Sequence, residues 1–360
     1  MNGFGMFIAG LNGLFCLIAF LNYVLIPRPK SCEESEDPSF LVLIPARNEA
    51  ENLAKLVPAL LAQGIPVIVF DDESTDGTAE VAVQAGATVL RAKEPLPQGW
   101  TGKNRGSYAL GHAALSDSDA QWFLFLDADV MPEPGFASAV RSALREAHPS
   151  VGVITALPKV IGGQPPEPLF MAWVGTILLS TIPIGLVGRV RVGHARFLNG
   201  QFHAWRREVY AALDPNERVK GRILEDVMMA RLCAAQNVRV DTVNLTQYLS
   251  VRMYQTWRQA LDGMSKNSYE IAGNVPGSIF LAVFLLFWGF GWVLAGPWLV
   301  LALSFLVLTG VAVGIQVRAS TLLAVLMPVA LSIGAFTVLR SIAWHRQGKV
   351  VWKGRTYPGN

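Results

Sequence analysis

The sequence is short of charge. Asp, Glu, Lys and Arg make up 16% of its 360 residues, against roughly 25% in an ordinary soluble protein. Apolar residues make up 52%, and residues 1–27 and 278–317 contain no charged side chain. Uncharged stretches of this length are typical of membrane-spanning segments, so we expect part of this protein to lie in a membrane.

Cysteine and histidine are also scarce. The three cysteines, Cys16, Cys32 and Cys233, lie far apart and the five histidines are scattered, which excludes a disulfide framework and a zinc-ligand spacing. The net charge of +3 comes without a basic, aromatic-rich pattern, so no nucleic-acid partner is expected. A reducing, cytoplasmic environment suits the middle of the chain.

Residues 1–27 are predicted to be an N-terminal transmembrane anchor. A spanning helix needs about 20 mainly apolar residues, whereas a signal peptide has a basic start and a shorter apolar core. Arg28 and Lys30 follow the stretch at once. Basic residues favour the cytoplasmic side, which predicts an uncleaved anchor with the following domain in the cytoplasm.

The C-terminal part is predicted to hold further transmembrane helices within residues 278–340. Residues 278–317 would form about 60 Å of helix, twice the thickness of a bilayer core, so we expect two spans with a turn at Gly296 and Pro297. A third apolar segment covers residues 321–339. The tail, 341–360, is basic, which favours a cytoplasmic location. Three spans after a cytoplasmic domain would instead place the tail outside the cell. The sequence does not decide between these two predictions.

Between these regions, an acidic linker (28–38) leads into a predicted catalytic domain (39–270). Short apolar runs alternate there with helical patterns, which predicts an α/β fold: a mostly parallel sheet with helices on both faces. Ligands of such sheets bind beyond the carboxyl ends of the strands. The predicted strands are 40–45, 66–70, 87–90 and 122–126.

Asp127 and Asp129 directly follow the last of these strands. Two neighbouring carboxylates repel each other unless a cation lies between them. Mg²⁺ takes one or two carboxylates and completes its coordination with water and substrate phosphates. The pair therefore suggests a metal-bound diphosphate, although a strand-end turn with solvated acids is the alternative.

Polar residues also follow the other strands. Asp71 and Asp72 could accept hydrogen bonds from a base and a ribose, whereas Asp76 to Thr78 read as a turn in which Thr78 caps the next helix. Asn48 and Glu49 could equally begin a helix. Arg47 would help to hold phosphate, and Lys103, after a glycine-rich turn, is a further candidate for phosphate or substrate contact.

Taken in order, the motifs P-A-R-N-E-x-x-x-L, D-D-x-S-x-D-G-T, W-x-G-K and D-A-D resemble the inverting family 2 glycosyltransferases of the GT-A fold. The resemblance implies a metal-dependent enzyme with a nucleotide-diphospho-sugar donor and Mg²⁺ or Mn²⁺. It places Asp72 toward the base, Asp127 toward the ribose or phosphate, and Asp129 on the metal. The donor-binding residues that it implies are Pro45, Arg47, Glu49, Asp72, Lys103 and Asp127.

An inverting transfer needs a general base that deprotonates the acceptor hydroxyl. The family carries an E-D pair for this role, usually acting through its aspartate, which here implies Asp226, with Glu225 as second choice. An acidic helix start favoured by the helix dipole is the alternative. Asn199 and Gly200 match the acceptor side, and His203 is expected to be a packed or rim residue.

The R-M-Y and G-x-S-K elements at 252–254 and 263–266, with the tail V-V-W-K-G-R-T-Y, resemble the carotenoid glycosyltransferases of the diaponeurosporenoate type, near the hopene-associated ones. This implies a multi-pass cell-membrane enzyme that transfers one sugar, from UDP-glucose, to a lipid or carotenoid acceptor. The Q-x-x-R-W motif of polysaccharide synthases is not matched at Gln255 to Arg258, which disfavours processive synthesis.

The uncharged segment 168–188 lies between the D-A-D motif and the base. Pro183 with Arg189 and Arg191 argues against a full span and favours an interfacial helix beside the acceptor cleft, with a soluble core helix as the alternative. The alternative acceptors are a hopanoid, diacylglycerol or polyprenyl phosphate. From other classes, an inactive donor-binding membrane scaffold or a transporter is possible, although the spans lack the intramembrane charge that transport paths usually need.

Overall fold

The computed structural model describes residues 3–31, 38–162, 167–187, 197–222, 224–320, 322–346, 350–352 and 355–357. Contacts divide the chain into two compact units, which we call the helical unit and the sheet unit. The helical unit comprises Met1–Leu25, Val160–Leu186 and Arg252–Asn360, and the sheet unit comprises Ile26–Lys159 and Val187–Val251. The predicted limits of the catalytic domain stay a prediction, and residues 252–270 pack within the helical unit.

The strands are β1 (Phe40–Ala46), β2 (Val67–Asp71), β3 (Thr88–Arg91), β4 (Trp122–Leu126), β5 (Val130–Pro132), β6 (Val151–Leu157), β7 (Lys159–Val160), β8 (Phe202–Arg206), β9 (Arg239–Asn244), β10 (Leu249–Val251), β11 (Val350–Trp352) and β12 (Arg355–Tyr357).

The helices are α1 (Gly3–Leu25), α2 (Ala50–Leu61), α3 (Thr78–Gln84), α4 (Gly102–Asp117), α5 (Phe136–Glu146), α6 (Glu167–Thr181), α7 (Ile184–Val187), α8 (Arg207–Leu213), α9 (Pro215–Arg218), α10 (Glu225–Ala235), α11 (Trp257–Ala272), α12 (Val275–Phe290), α13 (Leu299–Gln316), α14 (Leu322–Val325) and α15 (Met327–Arg346), with a 3-10 helix at Gly291–Trp298.

The sheet unit contains a large sheet with the strand order β3-β2-β1-β4-β8-β6-β9 in the described residues. Strands β3, β2, β1 and β4 run parallel, β8 runs antiparallel to β4 and β6, and β9 is parallel to β6. The predicted mostly parallel sheet is confirmed. Strands β4 and β6 are buried along their whole length, which explains why the sequence of β4 is an unbroken apolar run.

The predicted strands lie close to the observed ones. The limits of β4 agree, whereas β2 and β3 begin and end one residue later than predicted. Pro66 explains the shift of β2, since it has no N–H for the ladder and uses its carbonyl instead, which accepts from the amide of Val42 at 3.0 Å.

Aromatic side chains fill the core of the sheet unit. Phe123, Phe125, Trp205 and Tyr210 are buried in one cluster, and the ring of Tyr210 lies 5.5 Å from that of Phe125 between centroids. Burying each such side chain contributes about 1.5–3 kcal/mol. This core lies under β4, whose carboxyl end carries the predicted D-A-D motif.

The helical unit contains three helical stretches that are long and apolar enough to cross a membrane among the described residues: Gly3–Leu25, Val275–Gln316 and Met327–Arg346. The second of these is interrupted at Gly296, whose φ of 56° and ψ of −124° are not helical. A residue with a side chain adopts such angles only with strain. The break coincides with the turn predicted at Gly296 and Pro297, and the stretches indicate association with a membrane.

A buried asparagine of α1 satisfies the broken end of α6. The side-chain amide of Asn22 donates to the carbonyls of Leu179 (2.8 Å) and Ile182 (2.7 Å), and its oxygen accepts from the amide of Gly185 at 3.0 Å. Pro183 ends the helix here, and the freed backbone groups need partners away from water. The predicted interfacial helix 168–188 is thus broken at Pro183.

Some predictions fall outside the described residues. These are residues 32–37 of the acidic linker with Cys32, the segment 188–196 with Arg189 and Arg191, and residues 347–349, 353–354 and 358–360 of the basic tail.

Candidate active site

The polar residues that follow β1, β2 and β4 lie at one edge of the sheet. The three strands are parallel neighbours, and Ala46 pairs with Asp71 while Leu43 pairs with Phe125. The carboxyl ends of the three strands therefore lie side by side, as predicted from the motif order.

The loops after β1 and β2 are tied together by hydrogen bonds. The amide of Asn48 donates to Ser74 Oγ and the amide of Thr75 donates to Asn48 Oδ1, both at 2.9 Å. Asn48 has a φ of 53°, a left-handed conformation that asparagine tolerates better than most residues. Arg47 donates to the carbonyls of Asp72 and Glu73, so its guanidinium holds the second loop in place.

Helix α3, which begins at this edge, starts differently from the prediction. Thr78 was expected to cap α3, but it is the first helical residue, and Gly77 precedes it at a φ of 82°. The carboxylate of Asp76 accepts from the amide of Thr78 at 3.1 Å, and Thr78 Oγ1 accepts from the amide of Glu49 at 2.9 Å. Glu49 immediately precedes α2. This agrees with the alternative prediction that Asn48 and Glu49 begin a helix.

Asp72 is paired with Arg105, which the sequence motifs do not predict. Nη2 of Arg105 lies 2.5 Å from Oδ1 of Asp72, and the two side chains are only 11% and 3% exposed. Nη1 of Arg105 also donates to the carbonyl of Glu94 at 2.8 Å. The only signal in the sequence was that Arg105 lies two residues after Lys103 in a motif already singled out.

Lys103 joins the acids of two distant motifs. Its Nζ lies 2.6 Å from Asp127 Oδ1 and 3.0 Å from Glu225 Oε1, and it donates to the carbonyl of Gly200 at 3.4 Å. The amide of Gly200 donates to Asp226 Oδ2 at 3.1 Å. The structure therefore brings Lys103, Asp127, Gly200, Glu225 and Asp226 together from four separate segments of the sequence.

Burial and charge shift the pKa values in this cluster. Burial raises the pKa of Asp226 to about 6, with a further rise from Glu225 and an opposing effect from Lys103. Burial also raises the pKa of Asp127, against the lowering effect of Lys103. Burial by itself would lower the pKa of Lys103, but the carboxylates of Asp127 and Glu225 outweigh it and raise that pKa.

Asp129 is the residue that the resemblance places on the metal ion. Burial, and then the charges of Asp127 and Glu49, raise its pKa to about 7. Its buried Oδ1 has no hydrogen-bond partner among the described residues. No group of three His, Cys, Asp or Glu in the described part of the chain could hold an ion by itself. A carboxylate oxygen such as that of Asp129 suits Mg²⁺ or Mn²⁺ when substrate phosphates and water supply the other ligands.

The predicted acceptor-side residue Asn199 holds a turn in place. Its amide donates to Thr155 Oγ1 at 2.8 Å and its Nδ2 to the carbonyl of Ala156 at 3.0 Å. Its Oδ1 accepts from the amide of Gln201 at 3.1 Å. These bonds fix the backbone of Gly200 between β6 and β8.

His203 is a packed residue, as expected from the sequence. Its ring stacks on Phe125 at 5.1 Å between centroids, and its Nδ1 accepts from Trp205 Nε1 at 2.8 Å. Burial, with a smaller contribution from Lys103, lowers its pKa to about 3. The imidazole is therefore neutral at physiological pH.

The sheet is mainly parallel and gathers acids at its carboxyl edge, in agreement with the GT-A fold expected from the sequence. Residues 41–213 match the family model described as Glycosyl transferase family 2. Residues 41–213 therefore form a family 2 glycosyltransferase domain, and the predicted family is confirmed for this part of the chain.

Known proteins resemble the chain to different degrees. The 4,4'-diaponeurosporenoate glycosyltransferase of Staphylococcus aureus (strain USA300) is 27% identical over 343 residues, which cover 88% of this chain and 87% of that protein. The glucosyl-3-phosphoglycerate synthase of Mycobacterium tuberculosis is 16% identical, with a TM-score of 0.38 and coverage of 64% of this chain and 80% of that one. That synthase has also been crystallised with Mn²⁺, uridine diphosphate and glucosyl-3-phosphoglycerate.

Proposed function

We propose that this glycosyltransferase moves a single sugar from UDP-glucose, with inversion at the anomeric carbon, to a carotenoid or related terpenoid in the membrane. The observation that carries the proposal is the convergence of Asp127, Glu225 and Asp226 around Lys103 at the carboxyl edge of the sheet. The sequence similarity to a diaponeurosporenoate glycosyltransferase along most of the chain supports the choice of acceptor.

Asp226 is the general base. Its pKa of about 6 leaves it ionised at neutral pH and close to the value at which a base is most effective. Glu225 is held by Lys103 at 3.0 Å and is the second choice. Asp226 takes the proton of an acceptor hydroxyl while that oxygen bonds to the anomeric carbon, and the bond from this carbon to the diphosphate breaks.

Residues after β1, β2 and β4 bind the donor. Asp72, fixed by Arg105, accepts from the nucleotide base, and Asp127 faces the ribose or phosphate. Pro45, Arg47 and Glu49 form the neighbouring wall. Asn199 and Gly200 lie on the acceptor side, where their turn adjoins Asp226.

Asp129 would hold Mg²⁺ or Mn²⁺, since its unpartnered Oδ1 and hard oxygen chemistry suit these ions. When bound, the cation offsets the negative charge of the leaving diphosphate.

The apolar helices suit a multi-pass protein of the cell membrane with its catalytic domain in the cytoplasm. The three stretches found by length and composition would keep the enzyme where an apolar acceptor resides, and the polar donor would come from the cytosol. The protein should therefore stay in the membrane fraction after an alkaline carbonate wash, whereas a peripheral protein would be released.

The activity is tested with membranes that contain the full chain, UDP-glucose, extracted carotenoid and Mg²⁺ or Mn²⁺. A more polar, glucosylated pigment supports the proposal. Glucosylation of a hopanoid, diacylglycerol or polyprenyl phosphate instead would replace the acceptor, and UDP binding without transfer or hydrolysis would identify a donor-binding scaffold. With a hydroxyl-bearing acceptor, the Asp226→Asn variant should transfer sugar about 10²- to 10⁴-fold more slowly, and Asp119→Asn, at an exposed site, is the matched control.

A further inference from the structure

The ammonium group of Lys103 has three N–H donors, and three protein acceptors surround it. Asp127 Oδ1 lies at 2.6 Å, Glu225 Oε1 at 3.0 Å and the carbonyl oxygen of Gly200 at 3.4 Å. The side chain is 22% exposed. No donor of this lysine is left over for a phosphate in the arrangement that the described residues form.

The three acceptors belong to different elements. Asp127 follows β4, Glu225 is the first residue of α10, and Gly200 lies in the turn before β8, while Lys103 itself is in the first turn of α4. One ammonium group therefore links the end of the central strand to the helix that carries the base.

Asp226 depends on the same link. It is the neighbour of Glu225, and its Oδ2 accepts from the amide of Gly200, the residue whose carbonyl accepts from Lys103. A methyl group added at Gly200 would lie 3.1 Å from Asp226 Oδ2 and 3.3 Å from Lys103 Nζ. The turn is therefore fitted closely to both charged groups.

We propose that Lys103 is a positioning residue of the transfer reaction, which orients Asp226 through Glu225 and Gly200 and does not bind the donor diphosphate. This inference rests on the proposed function and revises the phosphate-binding role expected from the sequence. To reach a diphosphate, the ammonium group would have to leave the carboxylates of Asp127 and Glu225. These two poorly solvated groups would then lack a cation between them and would repel each other.

Two quantities separate positioning from phosphate binding. The affinity for UDP is measured by calorimetry on the full chain in detergent without acceptor, and kcat is measured as a function of pH with saturating UDP-glucose. For Lys103→Met we expect the UDP Kd to change less than about threefold while kcat falls about 100-fold. The pH at which the remaining activity is half-maximal should rise, because the charge that lowers the pKa of Asp226 is gone.

Lys55→Met is the matched control, since Lys55 is 60% exposed in a pair with Glu51 and both quantities should stay at wild-type values. Gly200→Ala keeps every charge and tests the same link if Lys103→Met folds poorly. It should lower kcat at unchanged UDP affinity.

A UDP Kd raised about tenfold or more in Lys103→Met, with kcat retained, would make the lysine a phosphate ligand and overturn the inference. Wild-type kcat in Gly200→Ala would also contradict it. A wild-type protein that binds UDP but transfers no sugar would instead defeat the proposed function, while the UDP affinities of the variants would still report on the role of Lys103.

Discussion

The guanidinium of Arg105 lies 2.5 Å from the carboxylate of Asp72, with both side chains almost buried. The pair fixes the side chain of the acid that directly follows β2. Removing one partner of a buried pair leaves an uncompensated charge and typically costs about 3–5 kcal/mol. Arg105 thus supports both the stability of the sheet unit and the proposed nucleotide site.

We therefore predict that Arg105→Met lowers the unfolding temperature of the full chain in detergent and weakens UDP binding. Arg91→Met is the matched control, because its pair with Glu80 is 57% and 56% exposed and such pairs contribute about 0–1 kcal/mol. The double variant Arg105→Met/Asp72→Asn should recover stability but not UDP affinity. Equal thermal shifts for Arg105→Met and Arg91→Met would contradict this account.

The second prediction concerns the pH dependence of transfer. The pKa of Asp226 is about 6 because burial raises it, Glu225 raises it further and Lys103 opposes both. Only the ionised carboxylate accepts a proton, so kcat/KM should rise with pH, about tenfold per unit below pH 6, and level off above it. Asp226→Asn should lower the rate by about 10²- to 10⁴-fold and leave UDP affinity unchanged.

The same variant distinguishes two kinds of acceptor. A hydroxyl must lose a proton when it attacks the anomeric carbon, whereas a carboxylate is already ionised near neutral pH. With a carboxyl-bearing acceptor, Asp226→Asn should therefore lose far less activity than with a hydroxyl-bearing one. Equal losses with both acceptors would show that Asp226 does more than remove a proton.

Much of the sheet could be predicted from local patterns. Strand β4 is buried along its length, so its apolar run and the acids after it marked both an element and a site. Asp72, Lys103, Asp127, Asp129 and Asp226 all lie in short motifs.

Features that depend on distant pairs could not be predicted. Helix α4 buries polar residues: the Nδ2 of Asn104 donates to the carbonyl of Asn216 at 2.7 Å, and Asn216 donates back to Asn104 Oδ1 at 2.7 Å. A buried polar face of this kind has no hydrophobic stripe, so the residue pattern of the helix does not indicate that the face is buried. Arg105 belongs to the same helix, and its partner Asp72 lies on another motif, so their pairing required the folded chain.

The third prediction is that His203 contributes to stability and not to proton transfer. Burial holds its pKa near 3, so folding disfavours the imidazolium, and stability that is present above the unfolded pKa of about 6.5 is lost as the pH falls toward 3. His203→Phe should unfold at lower temperature near neutral pH, because Trp205 Nε1 loses its acceptor.

The unfolding temperature of His203→Phe should also depend less on pH below about 6.5. The pH profile of transfer should keep its wild-type midpoint. His148→Phe, at an exposed site, is the matched control. A shifted activity midpoint in His203→Phe alone would place His203 in the proton-transfer step.

The fourth prediction concerns the metal. Burial and the charges of Asp127 and Glu49 raise the pKa of Asp129 to about 7. A carboxyl group with a raised pKa holds its proton more firmly in the folded state, so without a cation its contribution to stability falls as the pH rises from about 4 to 7. At about pH 8, where the group is ionised in both states, Asp129→Asn should therefore raise the unfolding temperature of the metal-free protein.

Mn²⁺ added with UDP should reverse this order at alkaline pH. The cation would stabilise the ionised wild-type carboxylate and leave Asp129→Asn almost unchanged, and at about pH 5 the protonated wild type should respond weakly. The unfolding temperature of the full chain, recorded with and without Mn²⁺ at the two pH values, measures the effect, and chelation should abolish transfer. Asp119→Asn should behave as wild type, whereas an equal Mn²⁺ response in Asp129→Asn would remove Asp129 from the metal site.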